Sequence, residues 1–268
     1  MAELVYPPVI AVARVAFAAF GLRLRVTGSE HVPRHGGAVM AINHTGWLDF
    51  TFAGYAARPA HRLVRFMAKD GVFRHRVSGP LMRGMKHIPV DRDAGAASFN
   101  AAVDALRAGE IVGVFPEATM SPSYELLPFK QGAVRMAQEA GVPLLPTIVW
   151  GSQRVATYSR RKPLTQRRLV VTVTVGEPLV LAPDEGIAAG TRRLRTTMTE
   201  MLHAAQEAYP DRPSGPDDTW WLPSRLGGTA CTPEEGLAIV KARRRASARD
   251  VSDGNDAPRD SGTPASTT

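Results

Sequence analysis

From residue 26 to about residue 174 the chain alternates short apolar runs with stretches of helical periodicity, and this alternation limits its fold more than any other feature. GAVMAINH, RLVRFMAKD, MKHIPVDR, IVGVFPE, LLPTIVWG and LVVTVTVG predict strands, the last two β-branched and IVGVFPE stopped by Pro116. Between them, ASFNAAVDALRAGE sets Phe99, Val103 and Leu106 at helical spacing, with Gly109 near its end. KQGAVRMAQEAGVP predicts a helix closed by Gly141 and Pro143. The expectation is an α/β fold with a mainly parallel or mixed central sheet flanked by helices. In such sheets the functional loops lie beyond the carboxyl ends of the strands.

The ends of the chain have other textures. Residues 9–20, VIAVARVAFAAF, are apolar, with no basic residue before them and Arg23 and Arg25 after, the wrong order for a signal peptide. They are also too few to cross a bilayer, which takes about 20 residues. On a helix Val9, Val12, Phe17 and Phe20 share one side and Arg14 lies opposite with Ala11 and Ala18, which predicts an amphipathic helix. A lipid interface and the protein's own core would both satisfy such a face. RRLRTTMTEMLHAAQEA reads as a helix, after which the chain turns rich in Pro, Gly and Asp; there Trp220 and Trp221 read either as covering the core or as sitting at a lipid interface. The expected organisation is an amphipathic segment over 1–25, the main domain over 26–210, an extension over 211–244 and a disordered tail over 245–268. The KARRR run reads as a solvated helix end.

The formal net charge of +8 favours anionic partners. Nothing in the chain interleaves aromatic and basic residues as RNA binders do, so nucleic acid is not expected as a partner. The single cysteine, Cys231, excludes an intrachain disulfide.

The stretch AINHTGWLDFTF sets His44 five residues before Asp49. Positions i and i+5 diverge on a helix, so the two meet only if Thr45-Gly46 makes a turn. Two readings compete. In one, His44 is a loop histidine and Asp49 caps the next helix. In the other, Asp49 orients the imidazole and His44 takes a proton from a hydroxyl. There is no Gly-x-Ser-x-Gly elbow and no phosphate-binding glycine loop. His31 and His35 sit in a Pro/Gly loop without cysteine partners, so no metal is expected. Three further stretches are candidate anion sites: Arg92 in IPVDRD, Glu117 and Thr119 in FPEATMS, and Lys130 with Gly132 in PFKQGA at a helix start.

In this order, NHTGWLD, KHIPVDRD, FPEATMS and VPLLPTIVWG resemble the glycerolipid acyltransferases of the lysophosphatidic acid (1-acylglycerol-3-phosphate) acyltransferase type. The likeness covers roughly residues 26–180. It implies transfer of an acyl group from acyl-coenzyme A or acyl carrier protein, as co-substrate, to a hydroxyl of a lysophospholipid, with no bound cofactor. By the same resemblance His44 is the general base and Asp49 its orienter. Asn43 and Gly46 shape the turn on the substrate side, Arg92 holds the acceptor phosphate, and Glu117, Thr119 and Lys130 belong to substrate binding. It also implies a peripheral or monotopic enzyme at the cytoplasmic face of the cell membrane, which assigns the N-terminal helix to the interface. Two residues depart from the pattern. Ala118 replaces the usual glycine, from which we expect no positive φ there, and Met120 replaces the usual arginine, which leaves the acceptor open to another lysolipid or a glycolipid. A non-catalytic lipid-binding protein on the same fold is the alternative.

Overall fold

The computed structural model describes residues 3–91, 95–158 and 168–255, with the side chains up to 246. Helix α1 (Tyr6–Ala19) leads into β1 (Arg23–Thr27) and β2 (Ala38–Ile42). Next come α2 (Asp49–Ala56), β3 (Val64–Lys69), the short helices α3 (Asp70–Arg74) and α4 (Ser78–Gly84), and β4 (Ile88–Val90). Helix α5 (Gly95–Arg107), β5 (Ile111–Val114), α6 (Gly132–Ala140), β6 (Leu144–Trp150) and β7 (Val170–Val175) follow, and α7 (Ile187–Glu207) and α8 (Pro233–Asn255) are the last long helices among the described residues.

The seven strands form one sheet in the order β1-β7-β6-β2-β5-β3-β4. All neighbours are parallel except β6 and β7, whose pairing runs antiparallel from Thr147↔Val175 to Trp150↔Thr172. The sheet is therefore mixed. The central strands β2, β5 and β6 are buried along their whole length, as strands covered on both faces must be. One face packs against α5, α6 and α7 through Leu106, Val134, Leu194 and Met198; the other packs against α2 through Phe52 and Ala53. Trp221 is fully buried in the first of these cores, edge-on to Tyr209 and under the guanidinium of Arg154, so the extension after α7 is part of the domain's packing.

Three features differ from the sequence reading. Helix α1 turns Tyr6, Val9, Ala13 and Phe17 towards the domain, with Phe17 stacked 4.9 Å from Phe52, while Val12 is 70% exposed. Val12 thus lies off the packed stripe, because a helix apolar almost all round does not itself specify which side faces in. Second, α8 runs to Asn255, so residues 245–255, expected to lack structure, are helical. Third, Ala118 has φ 56°, the left-handed conformation that its β-carbon disfavours.

The N-terminal segment is pinned to the sheet by a buried cation. Arg65 on β3 donates to Glu3, to Glu110 and to the carbonyl of Met85. The Tyr6 hydroxyl donates to the Val64 carbonyl at 2.8 Å. Burial and the neighbouring Arg65 charge push His87 down to about 4, so its ring is neutral at neutral pH and accepts the Phe66 N–H.

Candidate functional site

The carboxyl ends of three adjacent strands, β6, β2 and β5, carry the site. Past β2 the chain turns at residues 43–48 and enters α2 with Asp49 as its first residue. The Asp49 N–H donates back to the Gly46 carbonyl at 3.4 Å, so the turn closes on itself and folds His44 over Asp49. His44 Nδ1 lies 3.0 Å from Asp49 Oδ2. A carboxylate only accepts, so Nδ1 carries the proton and Nε2 is left with its lone pair. Nε2 has no hydrogen-bond partner among the described residues, and the His44 side chain is 20% exposed while Asp49 is 0% exposed. The ring stacks on Phe115, centroids 4.1 Å apart, which limits its rotation.

Asp49 is held from several directions. Oδ2 also accepts the N–H groups of Thr45 at 2.7 Å and Gly46 at 2.8 Å, and Oδ1 accepts the hydroxyl of Ser152. Its place at the N-terminus of α2 adds the favourable end of the helix dipole. The Trp47 N–H donates to the Ala156 carbonyl. The N–H groups of residues 45, 46 and 47 are therefore all engaged inside the protein, and an oxyanion formed at His44 would need other donors. Gly46 sits in a tight place: a β-carbon there would lie 3.0 Å from the Ser152 and Ala156 carbonyl oxygens, closer than most such contacts.

The residues expected to bind substrate fall into different places. Asn43 is buried and its amide bridges to β6, donating to the Val149 carbonyl at 3.0 Å and accepting the Val149 N–H at 2.7 Å. Glu117 is also buried, with Oε1 accepting the His44 N–H at 2.8 Å and Oε2 the Leu127 N–H at 2.9 Å. Burial pushes its carboxyl up to about 8, against the lowering effect of those two N–H groups. Asn43 thus fastens the His44 turn to β6, Glu117 fastens it to the loop at Leu127, and the polar atoms of both side chains are engaged within the protein. Thr119 is half-buried on the loop whose Ser121 N–H donates to the His44 carbonyl at 2.8 Å, beside the His44 turn. Lys130 is exposed, and its N–H closes that loop on the Pro116 carbonyl. Met120 is buried. Arg92 lies outside the described residues.

Sequence reasoning missed Ser152, Phe115 and Thr157, whose hydroxyl donates to the Thr45 carbonyl at 3.0 Å. A usable signal existed. Ser152 follows the end of β6 as His44 follows β2 and Phe115 follows β5, and ligand edges gather the residues just past parallel strands.

Comparison with known proteins agrees with this geometry. Residues 23–150 match the family model described as Acyltransferase. A 1-acyl-sn-glycerol-3-phosphate acyltransferase of Bacillus subtilis is 31% identical over 185 residues, covering 66% of this chain and 87% of the relative. One from Limnanthes douglasii is 30% identical over 158 residues, 56% of this chain and 54% of that protein, so the chain spans about half its length. Among solved structures, the 1-acyl-sn-glycerophosphate acyltransferase of Thermotoga maritima has the same fold, with a TM-score of 0.64 at 20% identity over 77% of this chain and 81% of that one.

Proposed function

The chain belongs to the 1-acyl-sn-glycerol-3-phosphate acyltransferase family, and from that premise we propose that it moves a fatty acyl group from an acyl thioester to the free hydroxyl of 1-acylglycerol-3-phosphate, giving phosphatidic acid. The donor is acyl-coenzyme A or acyl carrier protein, and no cofactor takes part. The observation that carries this reading is the His44–Asp49 hydrogen bond with Nε2 left open.

Nε2 of His44 takes the proton of the acceptor hydroxyl as its oxygen attacks the thioester carbonyl. Asp49 holds the tautomer and stabilises the imidazolium that forms. The tetrahedral intermediate then expels the thiolate, which receives the proton back from His44. The products are an ester and a free thiol, with no covalent enzyme intermediate. Arg92 is assigned to the acceptor phosphate on the strength of the motif. With a buried methionine at 120, the compensating cation at that point is Lys130 or Arg135.

The enzyme works at the cytoplasmic face of the cell membrane, as a peripheral or monotopic protein. The outward side of α1 and the residues before it support this, since Val12 and Val15 on the helix and Leu4 ahead of it are each at least 70% exposed. No helix among the described residues is long and apolar enough to cross a membrane.

The test is a thiol-release assay over a panel of acceptors, lysophosphatidic acid first. His44→Ala should lower turnover by about 10²- to 10⁴-fold while leaving binding to lipid vesicles intact. Unchanged turnover in that variant would remove the mechanism, whereas vesicle binding by the wild type with no thiol release over any acceptor would favour a lipid-binding protein.

A further inference from the structure

We propose that Ser152 is a positioning residue for this reaction, acting on His44 through Asp49. The inference rests on the His44–Asp49 reading and adds to it a third member, contributed by the segment after β6, 103 residues from Asp49.

The two oxygens of the Asp49 carboxylate are held unequally. Oδ2 receives His44 Nδ1–H and the N–H groups of Thr45 and Gly46, all from one turn. Oδ1 receives the Ser152 hydroxyl. Asp49 and Ser152 are both fully buried, so water cannot substitute for that donor. The direction of the hydrogen bonds is fixed by chemistry. A carboxylate cannot donate, so the single Ser152 hydroxyl proton goes to Oδ1. The Ser152 oxygen is then free to accept from the Thr45 hydroxyl, 3.3 Å away. Thr157, five residues past Ser152, donates to the Thr45 carbonyl. The segment after β6 therefore grips the His44 turn through its carboxylate, its hydroxyl and its backbone.

The place of Ser152 is set by its neighbour. Gly151 has φ 92°, and a β-carbon there would come 2.4 Å from the Val170 carbonyl oxygen. The chain leaves β6 through a conformation that suits glycine, and Ser152 starts the following 3-10 turn with its hydroxyl aimed at Asp49. Rotation of the Asp49 carboxylate about its χ2 bond is blocked on one side by the α2 turn and on the other by this hydroxyl. An alanine would leave Oδ1 buried without a donor and let the carboxylate swing off the Nδ1 axis. The imidazole would then lose alignment at Nε2, although no group touching substrate had changed.

Ser152→Ala should lower kcat by roughly 10- to 100-fold and leave both KM values within about threefold, because a misplacement of this kind affects the chemical step. The low-field proton resonance of the His44 Nδ1–H should weaken or move. Ser152→Thr, which keeps the hydroxyl, should restore both. Wild-type kcat in Ser152→Ala overturns the proposal, and so does a loss of kcat with the Nδ1–H resonance unmoved. Should the alanine variant fail to fold, Ser152→Thr carries the test alone: the resonance in place with kcat near wild type supports the assignment, and the resonance in place with kcat lost refutes it. Full activity in His44→Ala would instead sink the underlying acid–base reading, an outcome separate from any result at Ser152.

Discussion

Replacing Glu117 with glutamine should change the stability of the protein in opposite directions at low and high pH. The wild-type carboxyl is buried and titrates at about 8 in the folded protein against 4.5 when unfolded. Below about pH 4.5 it is neutral in both states and costs nothing. As pH rises towards 8, the unfolded chain has released the proton and folding must take it up again. Stability is therefore lost progressively through that window, by about 1.36 kcal/mol per pH unit, reaching on the order of 5 kcal/mol once the pH passes the folded value of about 8. Glutamine does not titrate and escapes this loss. In exchange its amide NH₂ must face one of two donors, the His44 N–H at 2.8 Å or the Leu127 N–H at 2.9 Å, at a cost of about 1–3 kcal/mol at every pH. The variant should be less stable than wild type near pH 5 by up to about 2 kcal/mol, cross it between about pH 5 and 7, and be about 2 kcal/mol or more stabler above pH 8. Urea unfolding of both proteins at pH 5 and pH 8.5 measures this. An identical difference in stability at the two pH values would refute the claim that burial raises the Glu117 carboxyl.

Two further substitutions probe the frame around the site. Ala118→Gly should stabilise the protein by about 0.5–1 kcal/mol, because glycine relieves the left-handed strain at φ 56° and returns only part of that gain as unfolded-state entropy; a loss of stability in urea would contradict it. Arg65→Met should cost about 2–3 kcal/mol in the same assay. That is below the value for a fully buried pair, because the side chains of Glu3 and Glu110 remain 23% and 33% exposed.

The sequence by itself determined the alternation of strands and helices and offered a turn at Thr45-Gly46, but left the pairing of His44 with Asp49 as one of two readings until the order of the family motifs was taken with it. The alternation and the turn are local properties. Side-chain periodicity follows from backbone geometry, and a glycine turn makes it possible for residues five apart to meet, although residues far along the chain hold them there. The motifs also marked Glu117 and Asn43 but not what they do, since their partners depend on β2 lying between β5 and β6. That strand order was decided only in the tertiary structure. It places the Glu117 carboxylate against the N–H of a residue 73 positions away, and Ser152 against an aspartate 103 positions away. It also holds the loop that forces Ala118 into a conformation its own preference opposes, and it selects the stripe of α1 that faces inward. The physical reason is one of range. Backbone torsions and periodicity act over a few residues, whereas burial and hydrogen-bond partnership are set by whichever strand ends the assembled sheet brings side by side.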